Sequence, residues 1–411
     1  MKSFLYLSSY ALLAYLPLSN AYPGMGDTIS QLKNEAQEKR AEPKQLIGDL
    51  KTLSDSQLTT IGKDIKAILL HQKDARSNTI DNSIPPGTVD SAACKADLCC
   101  LWKWITYEMT ARFNGTSGRC TKLARGAVRL GFHDAAVWST SSSYGGADGS
   151  ILLTDEINRS DNNGLAAIAT EMKNWYNKYN KYGASMADLI QWGANVATVV
   201  CPLGPRIRSF VGRKDNPKAG PTSMLPLETD SADKIIKLFA AKTIDADDLI
   251  ALVGAHTTSQ QHFVNTGRDG DPQDTTPGIW DVAFYPQTTA NPPPRVLKFR
   301  SDVGLSQDSR TKTPWTAFSD RTNGQERWND EYARAYTRMS MLGVNNINSL
   351  KECTKVLPAA RNSFVSEDQV VLDMWLQGQF DQLNNMVDDA IMLTGVITGP
   401  PKEKRDAEES I

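Results

Sequence analysis

Composition and apolar spacing describe a globular chain with several helical segments. The 411-residue chain is 40% hydrophobic and 22% charged, a globular composition that rules out disorder or a collagen-like repeat as the main state. Four stretches then place apolar residues at helical spacing: Leu58 to Ile68, Leu123 to Leu130, Leu249 to His256 and Leu372 to Ile391. Length alone allows roughly two or three domains. With 45 Lys and Arg against 47 Asp and Glu the formal charge is −2, so no field is implied that would gather nucleic acid or anionic lipid.

Residues 1–21 read as a secretory signal peptide: one Lys, an apolar run from Phe4 to Leu18, and the small-x-small close Ser19-Asn20-Ala21. A membrane anchor needs about 20 unbroken apolar residues, and this run is shorter and interrupted by Ser8, Ser9 and Pro17. The mature chain is expected to be secreted, extracellular, free of the membrane and folded under oxidising conditions.

Residues 22–90 form an N-terminal extension. Its Lys39-Arg40 pair is either a processing site or the solvated face of a helix. Leu58, Ile61, Ile65 and Ile68, after the cap candidates Ser54 and Ser56, indicate one amphipathic helix. The run Ser83-Ile84-Pro85-Pro86-Gly87-Thr88 breaks any helix and marks a boundary. At the other end, Leu372, Leu376, Phe380, Leu383, Val387 and Ile391 form a second helical stripe before the charged tail from Lys402, so residues 361–411 are expected to be an amphipathic helix and tail. Both stripes read as packing faces.

The six cysteines, Cys94, Cys99, Cys100, Cys120, Cys201 and Cys353, are an even set that in a secreted chain implies three disulfides, with the pairing open. A zinc site competes weakly, because Cys99 and Cys100 are adjacent and no other cysteines supply a second ligand pair. The sequons at Asn114 and Asn158 lie inside this framework and agree with secretion.

Only 4 His occur. Arg129 and His133 stand i and i+4 on one helix, so a base and a permanent cation point into the same small volume. Such a pair can take a proton from a bound acid while the guanidinium stabilises the anion. An isolated RxxxH is more often a core histidine beside a surface cation. Here Tyr144-Gly145-Gly146-Ala147-Asp148-Gly149-Ser150 follows, and Asp134, the Gly146 carbonyl, Asp148 and Ser150 supply the hard oxygen donors that calcium takes. A second histidine helix runs from Asp248 to Thr257 with Leu249, Leu252, Val253 and His256 on one stripe. It too is followed by oxygen donors, Asp274, Thr276 and Asp281, which Thr257 can join around another calcium.

This succession of motifs resembles the secreted haem peroxidases of the plant, fungal and bacterial superfamily, closest to the fungal secretory branch that contains the lignin-modifying enzymes. The resemblance covers about Ser91 to Pro358, so residues 91–360 are expected to be the peroxidase domain. It implies a mainly helical fold of two lobes with one haem b between them, and a monomer. Residue by residue, it implies that His133 is the distal base, Arg129 the distal arginine and Phe132 the aromatic residue over the haem. Asn162 would orient His133, with Glu156 in the same hydrogen-bond chain. His256 would be the axial iron ligand and Asp302 the carboxylate on its other ring nitrogen, which raises the imidazole's basicity. Two calcium ions are implied, one held by Asp134, Gly146, Asp148 and Ser150, the other by Thr257, Asp274, Thr276, Ile279 through its carbonyl, and Asp281. The implied disulfides are Cys94–Cys100, Cys99–Cys353 and Cys120–Cys201.

Three departures from the family pattern matter. A fourth disulfide is missing, since Thr313 stands where one cysteine would be and none follows Cys353, so the C-terminal stripe is expected to be held by burial alone. The acidic manganese-binding trio is replaced by Lys122, Gly126 and His262. Ala251 stands where ligninases carry a surface tryptophan. The expected activity is therefore reduction of hydrogen peroxide with oxidation of small phenolic or aromatic donors at the haem edge. The alternative is an inactive extracellular calcium-binding structural protein on the same scaffold. A metal-dependent hydrolase using His133 and Asp134 lacks HExxH and any convergent third ligand.

Overall fold

Helices form where the local signals converge, and the computed structural model describes them over residues 44–395. The leader, Lys39-Arg40 and the charged tail lie outside the described residues. Ten helices of eight residues or more carry the chain: α1 (Thr60–Leu69), α2 (Cys100–Phe113), α3 (Lys122–Ala135), α4 (Ala166–Tyr179), α5 (Met186–Val200), α6 (Ala232–Ala240), α7 (Ala246–Val253), α8 (Arg300–Gln307), α9 (Gly324–Met339) and α10 (Gln369–Leu376). Side chains cap several of their free N–H groups, Thr121 for α3, Ser185 for α5, Ser231 for α6 and Asp245 for α7. One short antiparallel pair, β1 (Phe210–Val211) and β2 (Lys351–Glu352), sets Phe210 opposite Glu352. The mainly α-helical expectation holds.

Every residue of α5 is buried, which is why its sequence is apolar nearly all round. Helix α3 lies against it at Gly131, where a methyl group would come 2.8 Å from the Ala194 side chain and 2.3 Å from the Tyr336 hydroxyl. That hydroxyl donates to Gln191 at 2.9 Å, and Gln191 donates to the Gly131 carbonyl at 3.1 Å. Lower on α9, the Trp328 indole donates to the Ala251 carbonyl at 2.8 Å, and its ring leaves no room for a side chain at Gly254. Helix α9 thus touches both histidine segments, each two residues before its histidine. Tyr336 and Trp328 are eight residues apart on it, a rise of about 12 Å.

The three disulfides are Cys94–Cys100, Cys99–Cys353 and Cys120–Cys201, and no cysteine is free. Both sequon asparagines, Asn114 and Asn158, are exposed.

Three expectations need correction and one is extended. First, α1 is capped by Thr59, whose hydroxyl accepts from Gly62, while Ser54 caps a separate turn over Asp55–Gln57. Second, the described part of the extension packs, as its apolar stripe implies, and it packs into the central core. Ile47, Leu50, Leu58, Ile65, Ile68 and Leu69 are buried in the same core as α3 and α5, and Arg338 donates to the carbonyls of Gln45 and Leu69 at 2.8 and 2.6 Å. His71 also reaches Asp248 on α7 at 3.7 Å. Third, α7 stops at Val253, and His256 stands in a tighter 3-10 turn over Gly254–Thr258.

Fourth, the C-terminal stripe is not one helix. Gly378 and Phe380 both take positive φ, at 81° and 59°, so α10 is followed by short turns. Leu372, Leu376, Phe380, Leu383 and Val387 are still buried, in a second small core with Trp375 and Val296, but Ile391 is 39% exposed. Nor does burial act alone. Arg119 holds Asp368 with both side chains fully buried, Arg125 holds Asp388 at 2.6 Å, and Arg295 pairs with Asp381 while lying 4.6 Å above the Trp375 ring.

Candidate active site

The distal group is assembled from α3 and the turns that follow it. His133 is 7% exposed, and its Nδ1 lies 2.7 Å from Asn162 Oδ1. The Asn162 amide nitrogen donates to the Glu156 carbonyl at 2.8 Å. A carbonyl only accepts, so the Asn162 amide must turn its nitrogen toward Glu156 and its oxygen toward the ring. His133 Nδ1 must then carry the proton, and Nε2 is left with its lone pair and no hydrogen-bond partner among the described residues. Burial, then the Arg129 charge, pushes the imidazole pKa down to about 3, which keeps that lone pair free at neutral pH. Glu156 enters the chain by its backbone; its carboxylate instead accepts from Gly220 at 2.6 Å.

Arg129 is held by the carbonyls of Asn163 and Asp161, at 2.6 and 3.1 Å. No carboxylate among the described residues pairs with it, and burial lowers its pKa only to about 10. It stays a cation beside a neutral base. Phe132 is edge-on to His133 and stacked on Phe239 with ring centres 6.0 Å apart.

On the proximal side, His256 Nδ1 lies 3.1 Å from Asp302 Oδ2. The carboxylate accepts from Nδ1–H, and in the neutral imidazole this tautomer leaves the lone pair on Nε2. The imidazole is 36% exposed although Asp302 is 2% exposed, and Phe284 and Phe299 close edge-on around the ring. A half-open imidazole with a bare Nε2 inside an aromatic wall is what iron ligation requires. The residues present fit haem.

Each histidine is followed directly by a residue of an oxygen cluster. Asp134 is fully buried, its Oδ2 accepts from Gly149 at 3.1 Å, and its Oδ1 has no partner. Burial, then Asp148, pushes its pKa well up. Asp148 accepts from Ser150 N and from Asn216. Gly146 has φ 115°, and a methyl group there would meet the Leu342 carbonyl at 2.2 Å, so only glycine brings that backbone into place. The Ser150 hydroxyl lies 3.5 Å from Glu156 Oε2 and also acts on the Asp148 carboxylate.

In the second cluster, Thr257 Oγ1 lies 2.5 Å from Asp274 and 3.2 Å from Asp281, and Thr276 Oγ1 lies 3.1 Å from both. Two hydroxyl protons cannot serve all of these oxygen pairs. Burial, then Asp281, drives Asp274 well above its ordinary pKa, and burial raises that of Asp281. The donor chemistry of both clusters fits a hard cation. Ile279 joins the second turn through its N–H, which donates to the Thr276 carbonyl at 3.0 Å.

Several parts of this arrangement had no local signal. Phe239, Phe284 and Phe299 converge from three separate segments, and Asn216 reaches Asp148 across 68 residues. Ala251 is fully buried, and its carbonyl accepts from the Trp328 indole.

Comparison with known proteins agrees with the geometry. The peroxidase family model matches residues 106–321. Among relatives, Ligninase LG5 of Phanerodontia chrysosporium is 29% identical over 288 residues, 64% of this chain and 75% of its own. Peroxidase of Arthromyces ramosus is 28% identical over 286 residues, 64% of this chain and 76% of its own. Manganese peroxidase 3 of Phlebia radiata is 30% identical over 292 residues, 65% of this chain and 78% of its own. With its two hydrogen-bonded histidines, their aromatic walls and the oxygen cluster beside each, the chain belongs to the peroxidase family.

Proposed function

We propose that this peroxidase is secreted, reduces hydrogen peroxide at one haem b ligated by His256, and oxidises small phenolic donors by one-electron steps. The observation that carries the reading is the pair of imidazoles whose Nδ1 atoms are both engaged and whose Nε2 atoms are both free. When bound, haem supplies the redox iron that accepts the peroxide oxygen and later takes electrons from donors. His133 Nε2 takes the proton from the near peroxide oxygen and returns it to the departing one, which leaves as water. Arg129 stabilises the negative charge that builds on that oxygen. Asn162 holds the His133 tautomer, Phe132 excludes water above the site, and Asp302 keeps His256 basic.

Two calcium ions, in the sets of Asp134, Gly146, Asp148, Ser150 and of Thr257, Asp274, Thr276, Ile279, Asp281, would neutralise the buried carboxylates. Asp134 adjoins His133 and Thr257 adjoins His256, so loss of either ion should disturb a histidine. Exhaustive chelation is expected to inactivate the enzyme slowly and to change its haem spectrum; full activity with an unchanged spectrum afterwards would count against the calcium assignment.

Donor choice is tested by a panel of manganese(II), a small phenol and a bulky non-phenolic aromatic. Activity is expected on the phenol alone. Lys122, Gly126 and His262 offer no hard-metal ligands, and the nearby Asp388 is already paired with Arg125. Turnover of manganese would overturn this reading. The alternative, an inactive calcium-binding scaffold, is disfavoured by the completeness of the set Arg129, His133, Asn162, His256 and Asp302. Purified protein without a Soret band would favour it.

A further inference from the structure

We propose that Trp328 and Tyr285 are positioning residues for the proximal imidazole: their side chains hold two backbone carbonyls at the end of α7 and so fix the turn that carries His256. The proposal rests on the reading of His256 as the iron ligand and names what sets its orientation.

In a continuous α-helix the Ile250 carbonyl accepts from the N–H four residues on, that of Gly254. Here the Gly254 N–H donates to the Leu252 carbonyl, and the Ile250 carbonyl accepts from the Tyr285 hydroxyl at 2.8 Å. The next carbonyl, that of Ala251, accepts from the Trp328 indole N–H at 2.8 Å. The last carbonyls of a helix need partners, and these two find theirs on side chains 35 and 77 positions away.

Both donors are fully buried and converge on one point of the backbone. A methyl group at Gly254 would lie 2.3 Å from the Tyr285 hydroxyl and 2.5 Å from Trp328 Nε1. Each is held from behind. The Trp315 indole donates to the Tyr285 carbonyl at 3.0 Å, and Trp328 stacks on Trp280 with ring centres 5.0 Å apart. Tyr285 also follows directly on Phe284, whose ring is edge-on to His256. One short helix, Phe284–Thr289, therefore supplies both a wall of the imidazole and a hold on the backbone that leads to it.

His256 stands three residues beyond Val253, the last residue of α7. A 3-10 turn advances about 120° and 2.0 Å per residue, an α-helix about 100° and 1.5 Å. Release of the two carbonyls allows α7 to continue, which over three residues swings the imidazole by about 60° and shifts it about 1.5 Å along the axis. The contact of Nδ1 with Asp302 at 3.1 Å does not survive a change of that size. A carboxylate on the imidazole raises its basicity, so weakening the contact weakens the iron–imidazole bond and favours the reduced iron.

The test uses holoprotein carrying Tyr285→Phe, which removes one hydroxyl, Trp328→Phe, which keeps a ring without its N–H, and both together. Trp280→Phe is the control, because Trp280 is as deeply buried and stacks on the same ring, but its indole N–H has no hydrogen-bond partner among the described residues. Resonance Raman of the ferrous protein reads the iron–histidine stretch, a redox titration reads the midpoint potential, and Tm reads packing. Each single variant is expected to move the stretch to lower frequency and the potential upward, and the double variant furthest. Trp280→Phe should lower Tm and leave stretch and potential at their wild-type values. A double variant with the wild-type stretch, or a Trp280→Phe protein shifted as far as Trp328→Phe, overturns the proposal and leaves the peroxidase reading intact. Should Trp328→Phe fail to fold, Tyr285→Phe decides alone, and a wild-type stretch there overturns the proposal. Wild-type protein without an iron–histidine band would overturn the His256 assignment and this inference with it.

Discussion

A His133→Ala protein should bind haem normally and react with hydrogen peroxide about 10²–10⁴-fold more slowly, the range that a positioned acid–base group contributes. The wild-type side chain is suited to that role by three independent features. Its Nδ1 is engaged by Asn162, burial and Arg129 keep the ring unprotonated, and its Nε2 is bare. Alanine removes the base and leaves the Arg129 cation and the proximal group in place, so the loss belongs to proton transfer. Asn162→Ala should cost less, about tenfold or more, because the imidazole survives but loses the bond that selects its tautomer. Stopped-flow mixing with peroxide, followed in the Soret region, measures both. An unchanged rate in His133→Ala would remove the assignment of the distal base.

The second large effect is on stability. Arg119 and Asp368 are both 0% exposed, joined by two guanidinium bonds of 2.5 and 3.0 Å. Asp368 also accepts from Ser366 and from Leu393 N, so the pair sits at the centre of the C-terminal attachment. Burial by itself would raise the Asp368 pKa, but the Arg119 hydrogen bond and charge hold it below the usual carboxylate range. Arg119→Ala leaves that carboxylate buried without its partner, which costs about 3–5 kcal/mol. The segment after Ser366 should then detach first, seen as early cleavage in limited proteolysis and as a lowered Tm. The double change Arg119→Met with Asp368→Leu should recover most of the loss, since it removes both charges. A single variant with wild-type Tm and wild-type protease resistance would show that the apolar stripe suffices.

That pair illustrates why part of the structure was not readable in advance. The C-terminal stripe was legible as a packing face, and most of its residues are buried. Its continuity was not, because Phe380 adopts positive φ, and phenylalanine gives no warning of such a conformation. The ion pairs were hidden for a different reason: Arg119 and Asp368 stand 249 positions apart, and neither is unusual among its neighbours. The buried extension shows the same limit. Its α1 stripe announced a face but not the α9 surface that the face covers.

The catalytic candidates were easier, because much of their arrangement is local. Helical geometry alone puts Arg129 and His133 on one face, and the oxygen donors of each cluster fall within short loops close to a histidine. The sequence by itself therefore determined the helical character, the two histidine segments, the two hard-oxygen sets and, through family resemblance, the chemistry they serve. Only the tertiary structure decided which atoms are free. It left both Nε2 atoms bare, brought Phe239, Phe284 and Phe299 around the histidines and wove the segment from Ile47 to Ala75 into the core. Spacing along a helix is fixed by backbone geometry, whereas a contact between distant segments depends on how the whole chain closes around its core.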